Sequence, residues 1–321
     1  MAVAVSILAA LALYLLSGRY PKPGFLSPFS LREDATARIL LFSIRLPRAL
    51  AALLVGAVLG GSGAVFQTLF GNPLVDAGFL GVSQGAAFGA AIALLAGMQQ
   101  SYGIAGLSFA FALVSLWLSI SLSRRFRFGG QVLRLLLAGL AISALFSSLL
   151  AAVKYAADPL SQLPDIVFWT MGSLSSMTWE RLAALLPLSL ASLALVVVLR
   201  WRATILSLDE DVAGSLGLRP DVERGLLAAA AAVGVAAVTA SCGVIAWVGL
   251  VVPQVARARA GADGRASIPL SMGGGAFFVL VADGLARSLF PGELPLGIVT
   301  SLLGAMSFAI LLSGRDMELM R

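Results

Sequence analysis

The chain has 321 residues, of which 59% are hydrophobic and only 12% charged, and its mean hydropathy is +0.97. A soluble protein of this size cannot hide that much apolar surface, and the short alternating strands of an outer-membrane barrel are absent, so composition points to a polytopic helical membrane protein. The net charge of +6 comes from arginines set between apolar runs, which suits loops near anionic headgroups rather than a nucleic-acid surface.

Residue types narrow the chemistry further. The sequence holds no histidine and one cysteine, Cys242, which excludes an internal disulfide, His-based triads and metal sites built on His or Cys. No catalytic centre and no cofactor are expected. The lysines are Lys22 and Lys154, and neither follows a glycine. The chain therefore carries no Gly-Lys-Ser/Thr phosphate loop, and if ATP drives it, a partner binds the ATP.

Residues 1–16 form an uncharged apolar run without the basic start of a signal peptide, and they are expected to be the first span. Residues 19–47 read as a polar, proline-bearing segment. The stretch from Arg45 to Gly81 organises the rest: two arginines flank Leu46-Pro47, and an apolar run of about twenty residues follows, long enough to cross a bilayer. This second span, 49–70, is studded with Gly56, Gly60, Gly61 and Gly63, and Asn72-Pro73 ends it, because the residue before a proline is pushed out of helical geometry. The third span, 79–96, carries Gly81, Gly85 and Gly89 at four-residue steps, on a face where helix backbones can approach closely.

Further spans are expected at 104–122, 133–153, 182–199, 225–240, 244–256, 268–285 and 296–312, with a short interfacial helix at 166–172 set at headgroup depth by Trp169 and Trp179. Residues 203–223 form a polar stretch between the sixth and seventh spans. Ten spans put both termini on one side. If that side is cytoplasmic, most arginines, from Arg124, Arg125 and Arg127 to Arg315 and Arg321, lie inside, in a weak positive-inside bias. A group of basic residues between 19 and 48 lies outside and needs its own explanation.

Several blocks in order resemble one known family. Arg45-Leu46-Pro47-Arg48, the run SGAVFQTLFGNPL, GVSQGA, LDEDVAGSLGL, GVIAWVGLVVPQVAR and ADGLARSLFPGELPLGIVTSLLGAMSF are similar to permease subunits of type II ABC importers, the iron-siderophore, haem and cobalamin uptake family. The sequence departs from the family pattern at Gln254, where a histidine follows the proline, at Gly264 within Asp263-Gly264-Arg265, and near Met306-Ser307, where the last helix has a proline.

The resemblance implies an all-α, ten-helix fold with inverted repeats and both termini cytoplasmic, as a single permease domain over residues 1–321 with a coupling segment near 204–223. It implies two copies of the chain around a central path in a bacterial or archaeal cytoplasmic membrane, with two ATP-binding cassette subunits below, a soluble substrate-binding protein above, and no nucleic acid. The repeat is barely visible as Ser62-Gly63 against Ser241-Cys242-Gly243. By the same resemblance Arg45, Arg48 and Arg287 dock the binding protein, although Arg287 could also pair locally with Asp283 four residues earlier. Asn72, Pro73, Leu74, Val132 and Leu133 form the cytoplasmic gate. Leu208, Asp209, Glu210, Gly214, Leu216 and Gly217 couple to the ATPase. Gln67 and Gln84, polar groups within or near spans, either line the path or hydrogen-bond across helices. The expected cargo is a metal chelate. The rival reading is a secondary transporter of a small solute, but such proteins need membrane-embedded ionisable residues, whereas Lys154, Asp158 and Asp283 sit near span ends.

Overall fold

In a computed structural model the described residues are 2–18, 24–25, 34–76, 78–98, 100–208, 210–289 and 292–313. They are mostly helical. In chain order they form α1 (Ala2–Leu16), a two-residue antiparallel pair β1 (Ser17–Gly18) and β2 (Gly24–Phe25), α2 (Ala35–Ile39), a π-helical turn (Leu40–Arg45), α3 (Leu46–Phe70), α4 (Val82–Leu95), α5 (Ser101–Ser123) and α6 (Gln131–Ala156). There follow α7 (Gln162–Thr170), α8 (Trp179–Leu206), α9 (Glu210–Ser215), α10 (Pro220–Cys242), α11 (Val248–Ala260), α12 (Gly264–Ser288) and α13 (Leu296–Ser313). Among these, six helices are long and apolar enough to cross a membrane, and three shorter apolar helices accompany them.

Helix α3 is the axis of the bundle. No charged residue occurs between Arg48 and Gly71, and about 78% of its apolar window is buried, against 28% for α5 and for α6. Helices α8, α10, α11 and α12 pack against it, while α4, α5 and α6 form a second group that leans on α10. Small residues make the central contacts possible. A Cβ at Gly56 would collide with the carbonyl oxygen of Gly275 on α12, and a Cβ at Gly275 would collide with that of Gly56. In a membrane, where lipid is as apolar as leucine, such backbone-to-backbone approach supplies the packing energy that burial supplies in water. Gly85 and Gly89 make the same kind of approach to the backbone of α5 at Phe111 and Leu107.

The ends follow local chemistry. Asp34 caps α2 by accepting from the backbone N–H groups of Thr36 and Ala37, and Thr178 caps α8 by accepting from Arg181 N–H at 3.3 Å. Pro220 occupies the first turn of α10, where its missing N–H costs nothing. Asp263 caps α12, and the N–H of Arg265 together with the Thr204 hydroxyl holds its carboxyl below the usual range. Helix α3 ends at Phe70, where the second span was expected to end, and Gly71 closes it in the left-handed conformation at φ +58°, its N–H reaching back to Gln67 and Thr68.

One sequence expectation needs correcting. The polar segment at 19–47 does not extend to the second span. From Ala35 the chain is already helical and runs unbroken to Phe70 for 36 residues. Asp34 supplies the start signal and Ile39-Leu40-Leu41-Phe42 the apolar content. The junction is a π turn in which Leu46 N–H bonds to the carbonyl of Leu41 rather than Phe42.

Candidate functional site

Helix α3 carries a polar cluster at each end. Arg48 and Gln67 are 19 residues apart, a rise of roughly 28 Å, close to the thickness of a hydrocarbon core.

At the Arg48 end, a guanidinium meets two carboxylates. Arg48 donates from Nε to Asp283 Oδ2 at 2.8 Å and from Nη2 to Asp283 Oδ1 at 2.9 Å, a bidentate fork. Its Nη1 reaches both oxygens of Glu293, at 3.0 and 2.8 Å. Tyr14 on α1 donates its hydroxyl to Asp283 at 2.5 Å. Arg48 is 4% exposed and Asp283 fully enclosed, so the pair joins α1, α3 and α12 inside the bundle, while Glu293 is 41% exposed in the turn before α13.

The other two arginines flank this clasp. Arg287 lies 4.4 Å above the Tyr14 ring and donates to the carbonyls of Tyr14 and Ser17 at 2.7 and 3.0 Å. Arg45 is buried and donates to the Leu15 carbonyl at 2.8 Å. The local Asp283–Arg287 pair considered from sequence does not form. The carboxylate is taken by Arg48 and Tyr14, and Arg287 turns to carbonyls that the end of α1 leaves unsatisfied. Sequence reasoning thus collected the three arginines but missed Tyr14 and the roles of Asp283 and Glu293. A lone carboxylate in an otherwise apolar helix was the available signal for Asp283.

At the opposite end, Gln67 is fully engaged. Its Nε2 donates to the carbonyls of Gly249 and Leu250 on α11 at 3.2 and 3.0 Å, and its Oε1 accepts from Arg257. One turn on, Asn72 accepts from Leu74 N–H at 2.9 Å in an Asx turn, and Gln254 Nε2 donates to the Pro73 carbonyl at 3.0 Å. Gln254 therefore fastens the turn after α3 to α11, a job for any side chain with a donor at that reach. Leu74 is 58% and Leu133 45% exposed, while Val132 packs against the core at the start of α6. Gln84, in the first turn of α4, has an enclosed side-chain oxygen with no partner among the described residues.

Beside this end lies α9. Leu208, Val212 and Leu216 recur at four-residue steps and all are exposed, while Ala213 on the other side is buried. Gly214 has open space around it, and Gly217, at φ +83°, turns the chain back toward α10. The base of α9 is pinned by the Arg202–Glu223 ion pair between α8 and α10 and by Arg224, which donates to the Leu206 carbonyl at 3.2 Å. Glu210 opens α9. Asp209 lies outside the described residues.

A family model described as the FecCD transport family matches residues 4–314. The chain belongs to the FecCD transport family. It is 41% identical over 281 residues to an iron chelatin transport system permease protein of Helicobacter pylori, a match covering 87% of this chain and 84% of the relative. It is 38% identical over 282 residues to the molybdate import system permease protein MolB of Haemophilus influenzae, covering 88% of this chain and 83% of the relative. A solved metal-chelate-type ABC transporter in an inward-facing conformation superimposes with a TM-score of 0.89 at 35% identity, covering 97% of each chain. Members of the FecCD family are multi-pass permease subunits of ABC importers that work with separate ATPase and binding-protein partners.

Proposed function

We propose that two copies of this FecCD-family chain form the path of an importer of metal chelates in a bacterial or archaeal cytoplasmic membrane. Each copy contributes ten spans from one permease domain covering residues 1–321, related in part as inverted repeats, with both termini in the cytoplasm. ATP is hydrolysed only on the partner subunits. The observation that carries this reading is the segment around α9, where Val212 on the six-residue helix and Leu208 and Leu216 on either side of it are all exposed beside a base pinned between α8 and α10. A lone chain has no use for these exposed side chains, whereas a cleft in an ATPase subunit gives them a partner. Closure of the ATPases would pull on α9 through Leu208–Gly217, Asp209 and Glu210 included, and rock α8 and α10.

In this reading the Arg48 end faces outward. Arg287 meets carboxylates on the binding protein, while Arg45, buried against the Leu15 carbonyl, and Arg48, enclosed between Asp283 and Glu293, hold the docking end in shape and present Glu293 beside it. Asn72–Leu74 with Val132 and Leu133 form the inner gate, closing the path with exposed leucines. The wide exposed face of α6, with Leu133, Leu137 and Leu140, meets the second copy. Gln84 faces the path, and Gln67, with its amide fully used, ties α3 to α11 instead. The chelate assignment follows the Helicobacter pylori relative and the metal-chelate transporter; the Haemophilus influenzae relative makes molybdate the competing cargo.

The test is uptake by proteoliposomes holding the chain, its ATPase and its binding protein. Labelled ferric chelate should accumulate only with ATP and be untouched by excess molybdate. Arg287→Glu should abolish uptake while the dimer still elutes intact. Accumulation by the chain alone, or unimpaired uptake by that variant, would overturn the reading.

A further inference from the structure

At the Arg48 end, where the N-termini of α5 and α8 stand beside α7 and the C-terminus of α10, lies a cavity of about 400 Å³. Trp179, the first residue of α8, fixes which end this is: its Nε1 donates to the Phe42 carbonyl, in the π turn before Arg48, at 2.8 Å. Helix α10 supplies the floor with the small side chains of Ala237, Ala240 and Ser241, and α5 and α8 supply walls. The cavity is built in. Ser173 N–H donates to the Cys242 carbonyl at 2.8 Å, and Gly243 approaches the Trp169 carbonyl too closely to admit a Cβ, so the loop after α7 is fastened to the end of α10.

The lining is graded. Its one charged group is Arg181, in the first turn of α8, which donates through Nη2 to the hydroxyl of Ser101 at the start of α5. No carboxylate among the described residues lies within ion-pair distance of Arg181, and the neighbouring Glu180 accepts from the Tyr102 hydroxyl instead. Ser176 adds a second hydroxyl, and Tyr102 and Trp169 add rings with polar tips, the side chains that mark headgroup depth in a membrane. Inward along each helix the lining turns apolar: from Ser101 to Phe109 on α5, from Arg181 to Leu188 on α8, from Ser241 to Ala237 on α10. An exposed apolar row then continues down α8 from Leu188 through Ala191 to Leu195, at three- and four-residue steps.

We infer that this cavity binds the phosphodiester of a phospholipid, with Arg181 and the hydroxyls of Ser101 and Ser176 on the phosphate oxygens and an acyl chain leaving along the row from Leu188 to Leu195. A guanidinium fork matches phosphate oxygens in geometry. One cation balances the single charge of a phosphodiester, and no second charged group lines the cavity to read what lies beyond it. Zwitterionic and acidic phospholipids therefore bind alike. The grading decides between a lipid and a free anion, since an anion would leave the apolar inner wall and the row below it unused. The site needs only that α5, α8 and α10 span a bilayer, so it stands independently of the cargo and of the ATPase.

The experiment uses the purified full chain in a phosphate-free maltoside detergent. Native mass spectrometry reads retained lipid, and thermal unfolding reads stabilisation, on adding phosphatidylethanolamine, phosphatidylglycerol, diacylglycerol with the same chains, or inorganic phosphate. Both phospholipids should be retained and raise the melting temperature, where diacylglycerol and inorganic phosphate do not. Arg181→Gln should weaken retention about fivefold, the effect of one basic residue at a membrane surface. Ala184→Phe breaks no hydrogen bond and fills the cavity from α8, and should abolish retention in a chain that still folds. Ala183→Phe, exposed and outside the lining, should leave retention unchanged. Equal retention of diacylglycerol, or equal loss in the Ala184→Phe and Ala183→Phe variants, would overturn the site. Retention of phosphatidylglycerol alone would overturn the phosphodiester as the recognised group, and displacement of lipid by inorganic phosphate would overturn the assignment to lipid.

Discussion

Arg48→Met isolates the buried clasp. The substitution removes two charge-assisted bonds from Asp283 and two from Glu293. Glu293 is 41% exposed and water replaces its partner, so its loss is worth about 0–1 kcal/mol. Asp283 is fully enclosed and keeps only the Tyr14 hydroxyl. Stranding a buried charge costs about 3–5 kcal/mol, and that dominates. Asp283→Leu should cost less, because Arg48 retains Glu293 and the orphaned Tyr14 hydroxyl adds only about 1–3 kcal/mol. The double variant Arg48→Met/Asp283→Leu carries neither charge and should be more stable than Arg48→Met alone, by about 2 kcal/mol. Reversible unfolding of the protein in mixed micelles, titrated with a denaturing detergent, measures all four corners of the cycle. If the double variant loses the sum of the single losses to within about 0.5 kcal/mol, the two residues are not coupled and the argument fails.

Other perturbations probe the remaining contacts. Gly56→Ala puts a methyl group into the Gly275 carbonyl and should cost at least about 1–3 kcal/mol in the same unfolding assay, whereas Gly225→Ala, with open space around it, should cost nothing measurable. Gln254→Ala cuts the tie to the Pro73 carbonyl and should make substrate-free vesicles leaky to small solutes, while Gln254→His, which keeps a donor, should stay tight. Gly217→Val must hold a β-branched residue at φ +83°; ATP hydrolysis should persist while uptake falls at least tenfold, and preserved uptake would refute the coupling role.

Six of the expected spans were legible as long apolar helices because each announces itself: an apolar run between arginines or prolines can be little else in this composition. The glycine steps at 56/60 and 85/89 were legible as close-approach faces, but Gly81 is not on that face: it precedes α4 in the left-handed conformation at φ +78°, which glycine adopts without strain. Partnerships across the chain were not. Arg48 and Asp283 are 235 residues apart, and sequence offered Asp283 a nearer partner, Arg287, by the four-residue rule. That rule fails because Arg287 is drawn to the carbonyls that end α1, which are invisible until α1 is folded against α12. Gln67 illustrates the complementary limit. A glutamine in a span must satisfy its amide somewhere, but only the position of α11 decides that the partners are the Gly249 and Leu250 carbonyls and Arg257 rather than a water-filled path. The helical stretch before Arg45 was missed because the proline-bearing residues ahead of it set the tone for the whole segment.

The π turn at Leu40–Arg45 holds one residue more than an α-helical turn needs. Everything upstream is therefore wound about 100° away from the direction an unbroken α-helix would give it. Deleting a single residue within that turn would let the helix regularise while leaving Arg48 and all that follows undisturbed. Ala35–Ile39 would then swing round the helix axis by that angle, and Arg38 with it. The extra residue thus works as a setting screw, fixing the bearing of the entry segment without touching the bundle it leads into.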